Sequence, residues 1–146
     1  MSIETRLSEL GITLPDAPAP AANYVPYVIS GNMLFISGQI SAAKGKLGAD
    51  LTVEAGAEAA RGCGLSILAQ AKAALGSLDR VKRVVKLGGF VNSTPDFTDQ
   101  PEVINGCSNL MAEVFGERGQ HARAAVSCPA LPRGVAVEVE AILEIE

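Results

Sequence analysis

One arginine and one carboxylate carry most of the chemistry that can be read from this chain. Arg123 opens the apolar run Ala124-Ala125-Val126, and the chain then turns through Leu131-Pro132 into a segment where Glu138 and Glu140 alternate with valines. A guanidinium offers five donors in a planar fork that matches a carboxylate, and it stays charged at any relevant pH. Held at the start of a strand, Arg123 can grip a small carboxylic acid. The competing reading is a solvated strand-end arginine paired with Glu138 or Glu140. His121, the single histidine, could act as a base, but no serine or aspartate partner is recognisable in sequence and it reads as a loop residue. Cys63, Cys107 and Cys128 are odd in number and lack CxxC or metal-type spacing. Neither a disulfide framework nor a metal site is expected from them.

The elements that must position these groups follow from periodicity. Val135, Val137, Val139, Ala141, Leu143 and Ile145 point one way and Glu138, Glu140, Glu144 and Glu146 the other, the mark of a strand buried on one face. Pro129 and Pro132 mark where sheet pairing stops, so Arg123 to Glu146 is expected to close the domain as a hairpin. From Val53 to Leu75, apolar residues recur at three- and four-residue steps, predicting a long helix. Gly56, Gly62 and Gly64 each cost it about 1 kcal/mol against alanine, which points to close backbone approach. A second helix is predicted over 100–115, with the stripe Val103, Cys107, Leu110, Met111, Val114 and Phe115, a capping box from Asp99 to Glu102, and Gly116 as its stop.

Tyr24 to Ile29, Gly31-Asn32 and Met33 to Ser37 have the order of a hairpin, and Arg80 to Asn92 reads as a strand with a bulge or bend at Gly88-Gly89. Residues 3–10 form a short amphipathic helix capped by Ser2, followed by a Pro/Ala-rich linker. Residues 1–21 are therefore an N-terminal appendage to a domain of residues 22–146. The order β-β-α-β-α-β-β predicts an α+β fold with two helices packed on one face of the sheet. Its other face would be bare, and a second copy of the chain is the economical cover.

The bulk numbers narrow the function. At 146 residues a single domain can bury roughly 68–70% of the surface its unfolded chain exposes. Twelve basic and sixteen acidic residues give a net charge of −4, with no basic grouping beyond Arg80, Lys82, Arg83 and Lys86. That balance argues against nucleic acid as a partner. No leader-type segment and no apolar run near 18 residues is present, so no membrane association and a cytoplasmic setting are expected.

Several of these residues together resemble the RidA (YjgF, reactive intermediate deaminase) family. The resemblance rests on Tyr24 seven residues before Gly31-Asn32-Met33, on Ser37-Gly38-Gln39 and Val103-Ile104-Asn105, and on Ala122-Arg123 followed by Leu131-Pro132 and Val137-Glu138-Val139-Glu140-Ala141-Ile142. It spans residues 22–145; residues 1–21 have no counterpart in the core family pattern. It implies a chorismate-mutase-like mixed sheet and a homotrimer with sites between subunits. It further implies hydrolysis of 2-imino or 2-enamino acids to 2-keto acids and ammonia, without a cofactor. Carried onto this chain, Arg123 clamps the substrate carboxylate, Tyr24, Ser37 and Asn105 line the cleft, and Glu138 positions or activates the attacking water. Ala125 stands where the best-known members have a cysteine thought to act through its backbone. Two other readings use the same residues. One is a trimeric module that binds small carboxylates without turnover, and the other is an endoribonuclease, which the acidic balance disfavours.

Overall fold

Strong periodicity becomes regular structure almost residue for residue in the computed structural model, which describes all residues from Met1 to Glu146. Helix α1 spans Ile3–Glu9, strand β1 Tyr27–Ser30, β2 Met33–Ile40, α2 Val53–Leu75, β3 Val81–Asn92, α3 Gln100–Phe115, β4 Ala122–Cys128 and β5 Val137–Ile145. The five strands form one mixed sheet in the order β1-β2-β5-β3-β4, with only β3 and β4 parallel. The fold is α+β, with the mixed sheet that the resemblance implies.

The last two strands do not make the hairpin that the sequence suggests. Strand β3 lies between them, pairing in parallel with β4 and antiparallel with β5. The strictly alternating segment takes an interior slot because Val137, Val139, Ala141, Leu143 and Ile145 are all buried and its backbone pairs on both sides. β4 is left at the edge, reached from β3 through α3, as a parallel crossover requires. Gly88-Gly89 does not form a bulge. The irregularities in β3 fall at Val81/Arg83 and Val84/Lys86, whereas a Cβ on Gly89 would lie 2.7 Å from Ile104 and one on Gly88 2.9 Å from Glu140. These two glycines let side chains cross the sheet surface.

Both long helices lie on one face. Thr52 caps α2 through the Ala55 amide, and Gly76 and Gly116 terminate α2 and α3 with positive φ. Asp99 occupies the cap of α3 without a side-chain hydrogen bond, so the expected capping box is not formed. Glycines set the distance between the helices: a Cβ on Gly64 would reach within 2.8 Å of Leu110, and one on Gly106 would overlap the carbonyl of Ala57. Gly62 has nothing within 4 Å and is not a packing glycine. Gly106→Ala is expected to cost a net of about 2 kcal/mol, because pushing two helices apart outweighs the helix propensity gained. The thermal midpoint should fall by roughly 4–8 °C, while Gly62→Ala should raise it slightly. An unchanged midpoint for Gly106→Ala would refute this packing account.

Helix α1 belongs to the core. Ile3 and Leu7 join the same buried cluster as α2, α3 and the sheet. The Ile3 amide donates to Asp79, Glu4 accepts from the Leu78 amide, and Arg6 Nε donates to the Glu113 carbonyl. The proline-containing segment that follows is pinned where the buried Gln70 donates to the Pro18 carbonyl at 2.6 Å. The opposite sheet face is uncovered, with Val28, Phe35 and Val126 each 42–49% exposed. An apolar surface of this kind marks an interaction face.

Candidate functional site

Arg123 is the second residue of β4, paired with Leu87. Since Leu87 is buried beneath the helices, the arginine also faces the helix side, half-buried at the sheet edge. Nη1 donates to Ser108 Oγ at 3.0 Å and Nη2 to the Pro101 carbonyl at 3.2 Å, both on α3. No carboxylate pairs with it, the ion pairs of the chain being Arg6–Glu9 and Arg61–Glu113. The strand-end ion pair with Glu138 or Glu140 is thereby overturned: those glutamates alternate with buried Val137 and Val139 and lie on the other face of the sheet. The guanidinium keeps its charge uncompensated and most of its donors free.

Two further residues expected near the arginine separate. Ala125, one pleat along β4, is partly buried against the core on the same face as Arg123. Asn105 is exposed on α3 and makes no side-chain hydrogen bond to the arginine. One helical turn later, Ser108 does. Nothing in the local pattern marks Ser108, because a serine between Cys107 and Asn109 looks like any solvated helix position. Ser108 Oγ also meets His121 Nε2 at 2.8 Å, and His121 Nδ1 meets the Gly119 carbonyl at 2.6 Å. Beside them, burial pushes the Cys107 thiol up to about 12, with the nearby Arg123 charge pulling the other way, so that thiol is inert.

The remaining expected residues gather on the uncovered face. Tyr24, Ser37 and Glu138 line one open pocket of about 640 Å³ together with Gly38, Glu140 and Arg133. Ser37 Oγ donates to the Val25 carbonyl at 2.8 Å, and Tyr24 Oη accepts from the Ala21 amide at 3.2 Å. The side chain of Glu138 lies across Gly38, where any Cβ would overlap its carboxylate. Arg133, a residue the sequence did not flag, holds a left-handed backbone at φ 60° and donates to the Ala21 carbonyl at 3.2 Å. A motif Leu-Pro-Arg-Gly in a connection gives no hint that the arginine borders a pocket.

Partial burial, and secondarily the charge of Glu140, raise the Glu138 carboxyl above its ordinary range. The native state thus holds this proton more tightly than the unfolded chain. The stability it contributes is present below the ordinary glutamate pKa of about 4.3 and is lost as pH rises through the raised value. Glu138→Gln should therefore be at least as stable as the parent at pH 7 and indistinguishable from it at pH 4. Thermal midpoints at both pH values check this, and a variant less stable at pH 7 would contradict it.

Within one chain, then, the Arg123 group and the Tyr24–Ser37–Glu138 group occupy opposite faces of the same sheet. No group of three or more histidine, cysteine, aspartate or glutamate side chains is arranged to hold a metal ion, and no helix is long and apolar enough to cross a membrane.

Comparison with known proteins gives this arrangement its relatives. Residues 4–144 match the family described as "YjgF/chorismate mutase-like, putative endoribonuclease", a span that takes in most of the N-terminal segment. Protein TCP17 of Trypanosoma cruzi is 54% identical over 150 residues, covering 98% of this chain and 94% of that protein. The crystal structure of Atu1372 from Agrobacterium tumefaciens, described as of unknown function, is 52% identical with a TM-score of 0.92 over 99% of this chain and 92% of that one. E. coli TdcF with bound serine is similar at 26% identity and a TM-score of 0.65, over 89% of this chain and 94% of that one. With its sheet, its helices and nearly its whole length matched, the chain belongs to the YjgF/RidA family.

Proposed function

We propose that this protein hydrolyses small 2-imino or 2-enamino acids to 2-keto acids and ammonia, in clefts formed between the subunits of a homotrimer. The observation that carries this reading is the unpaired Arg123 guanidinium at the sheet edge. A cation with free, forked donors and no carboxylate of its own is a receptor for one.

The two separated half-sites are complementary. An apolar sheet face needs a cover, and a symmetric oligomer supplies one from the same sequence. When the edge of one copy approaches the open face of another, the arginine of the first can join Tyr24, Ser37 and Glu138 of the second around one ligand. The bound serine of TdcF is an α-carboxylate with a neighbouring nitrogen, the same arrangement that an imino acid offers. In the proposed reaction Arg123 fixes the carboxylate, which places the adjacent C=N carbon, and Glu138 holds the attacking water. Positioning of this sort can contribute several kcal/mol to the barrier. The family description also names an endoribonuclease, but a net charge of −4 with no stripe of basic and aromatic residues does not fit a phosphate backbone.

The test generates an unstable imino acid with an amino acid oxidase and follows keto acid release with and without the protein, across several side chains. Acceleration is expected. None with any side chain, alongside saturable binding of keto acids, would replace the hydrolase with a carboxylate-binding module. Light scattering of the same sample reads the assembly, and a monomer at working concentration would remove the shared cleft.

A further inference from the structure

The contacts around Arg123 contain a second device. His121 Nδ1 lies 2.6 Å from the Gly119 carbonyl. A carbonyl only accepts, so Nδ1 carries the proton and Nε2 of the neutral ring is an acceptor. Ser108 Oγ, at 2.8 Å from Nε2, must then be the donor in that contact. The same oxygen receives a hydrogen bond from Arg123 Nη1 at 3.0 Å. A hydroxyl that gives its proton to an oriented imidazole, beside a fixed cation, has the layout of a nucleophile or proton carrier with its base and its orienting group. The backbone carbonyl here does the work that a carboxylate does in a triad.

The geometry points to Ser108 and His121 as a hydroxyl–imidazole relay that moves protons for the substrate anchored on Arg123. This rests on the imine-hydrolysis reading above. As water adds to the C=N carbon and the new C–O bond forms, the water proton passes to Ser108 Oγ while the Ser108 proton passes to His121 Nε2. The imidazolium returns its proton through the same hydroxyl to the nitrogen, giving the neutral carbinolamine. A second passage through the relay carries the carbinol O–H proton to that nitrogen as the C=O bond forms, the C–N bond breaks and ammonia leaves. No redox partner is needed, and the pair ends in its starting state. On the helix side of the sheet His121 is the imidazole hydrogen-bonded to the hydroxyl that Arg123 contacts, whereas Cys107 is buried and held as a thiol and Glu138 lies on the other face. The ring borders a shallow cavity of about 430 Å³ with Arg83, Val85, Gln120 and Ala122, which gives it solvent contact. The charged groups around it are Arg123 on β4, Arg83 and Lys86 on β3, and Glu117 and Arg118 in the preceding turn, with Arg118 turned to the Val81 carbonyl.

The experiment compares the full chain with His121→Gln, Ser108→Ala and Ser108→Thr in the oxidase-coupled assay. His121→Gln is expected to lower kcat about 100-fold with KM within about threefold, and to abolish the acid limb of the pH–rate profile. Ser108→Ala should lose a comparable amount, whereas Ser108→Thr, which keeps the hydroxyl, should recover to within about tenfold of the parent. An active parent whose His121→Gln and Ser108→Ala variants retain full kcat and an unchanged pH profile would overturn the relay and leave the deaminase reading standing. If the parent itself is inactive, the deaminase reading fails, and the pair is read with a fluorophosphonate. Labelling of Ser108 that His121→Gln abolishes would retain an activated hydroxyl, and no labelling would overturn it.

Discussion

Arg123→Lys is expected to lower kcat/KM for imino acids by about 10² to 10³ while leaving the fold intact. The native guanidinium makes two hydrogen bonds to α3, to Ser108 Oγ and the Pro101 carbonyl, and still has donors free for a ligand. A lysine ammonium is a point charge on a flexible stem; it cannot hold both anchors and also present a fork. Hydrogen bonds to a charged group contribute about 1.5–3 kcal/mol each. Losing one or two from the bound carboxylate, partly offset by the retained charge, corresponds to the stated fold-change. The thermal midpoint should shift by only a few degrees, because no ion pair is broken and the position is only half-buried. Retained turnover in this variant would move the carboxylate anchor elsewhere. Arg133, which borders the other half-site, would then be the next residue to replace.

Removing residues 1–21 is expected to cost about 4 kcal/mol of stability and to disable the Tyr24–Glu138 half-site together. Ile3 and Leu7 are 4% and 5% exposed within the common core, and burying such side chains contributes about 1.5–3 kcal/mol each. The truncation also strips the Pro18 carbonyl from the buried Gln70 amide, a donor that is costly to leave unsatisfied. With a domain stability of about 5–15 kcal/mol, the loss is a large share of the total, and the midpoint should fall by roughly 8–16 °C. The pocket would lose Ala21 from its wall, Tyr24 Oη the Ala21 amide, and Arg133 its acceptor at Ala21. A truncated chain with an unchanged midpoint and full activity would show that residues 1–21 are a separable appendage after all. Chemical denaturation and the coupled assay on the same preparation decide it.

The two helices were legible because each presents a long, unbroken apolar stripe, and a stripe at the helical period has one way to be buried. Val53–Leu75 and Gln100–Phe115 begin and end where their sequence patterns do. Strand β5 was legible for the same reason at a period of two. The hairpin of β4 and β5 was misread because adjacency in sequence is only a tendency in sheets, and nothing in Arg123–Cys128 states which neighbour it will pair with. Gly106 carries no local signal, since a helix glycine shows its purpose only once the Ala57 carbonyl stands against it. The short α1 looked dispensable because two apolar residues say nothing about whether a receiving groove exists.

The chain's own order of residues determined the element types, the single arginine worth watching, and the family likeness, all of which are local: they depend on side-chain chemistry and on spacings of a few residues. Tertiary structure alone decided that Arg123 and Glu138 stand on opposite faces, that Ser108 rather than Asn105 reaches the guanidinium, and that His121 has a hydroxyl partner. Those outcomes depend on strand order and on how far α3 is rotated over β4. Both are set by packing among residues distant in sequence, where burial and backbone pairing choose between arrangements that local patterns leave equal.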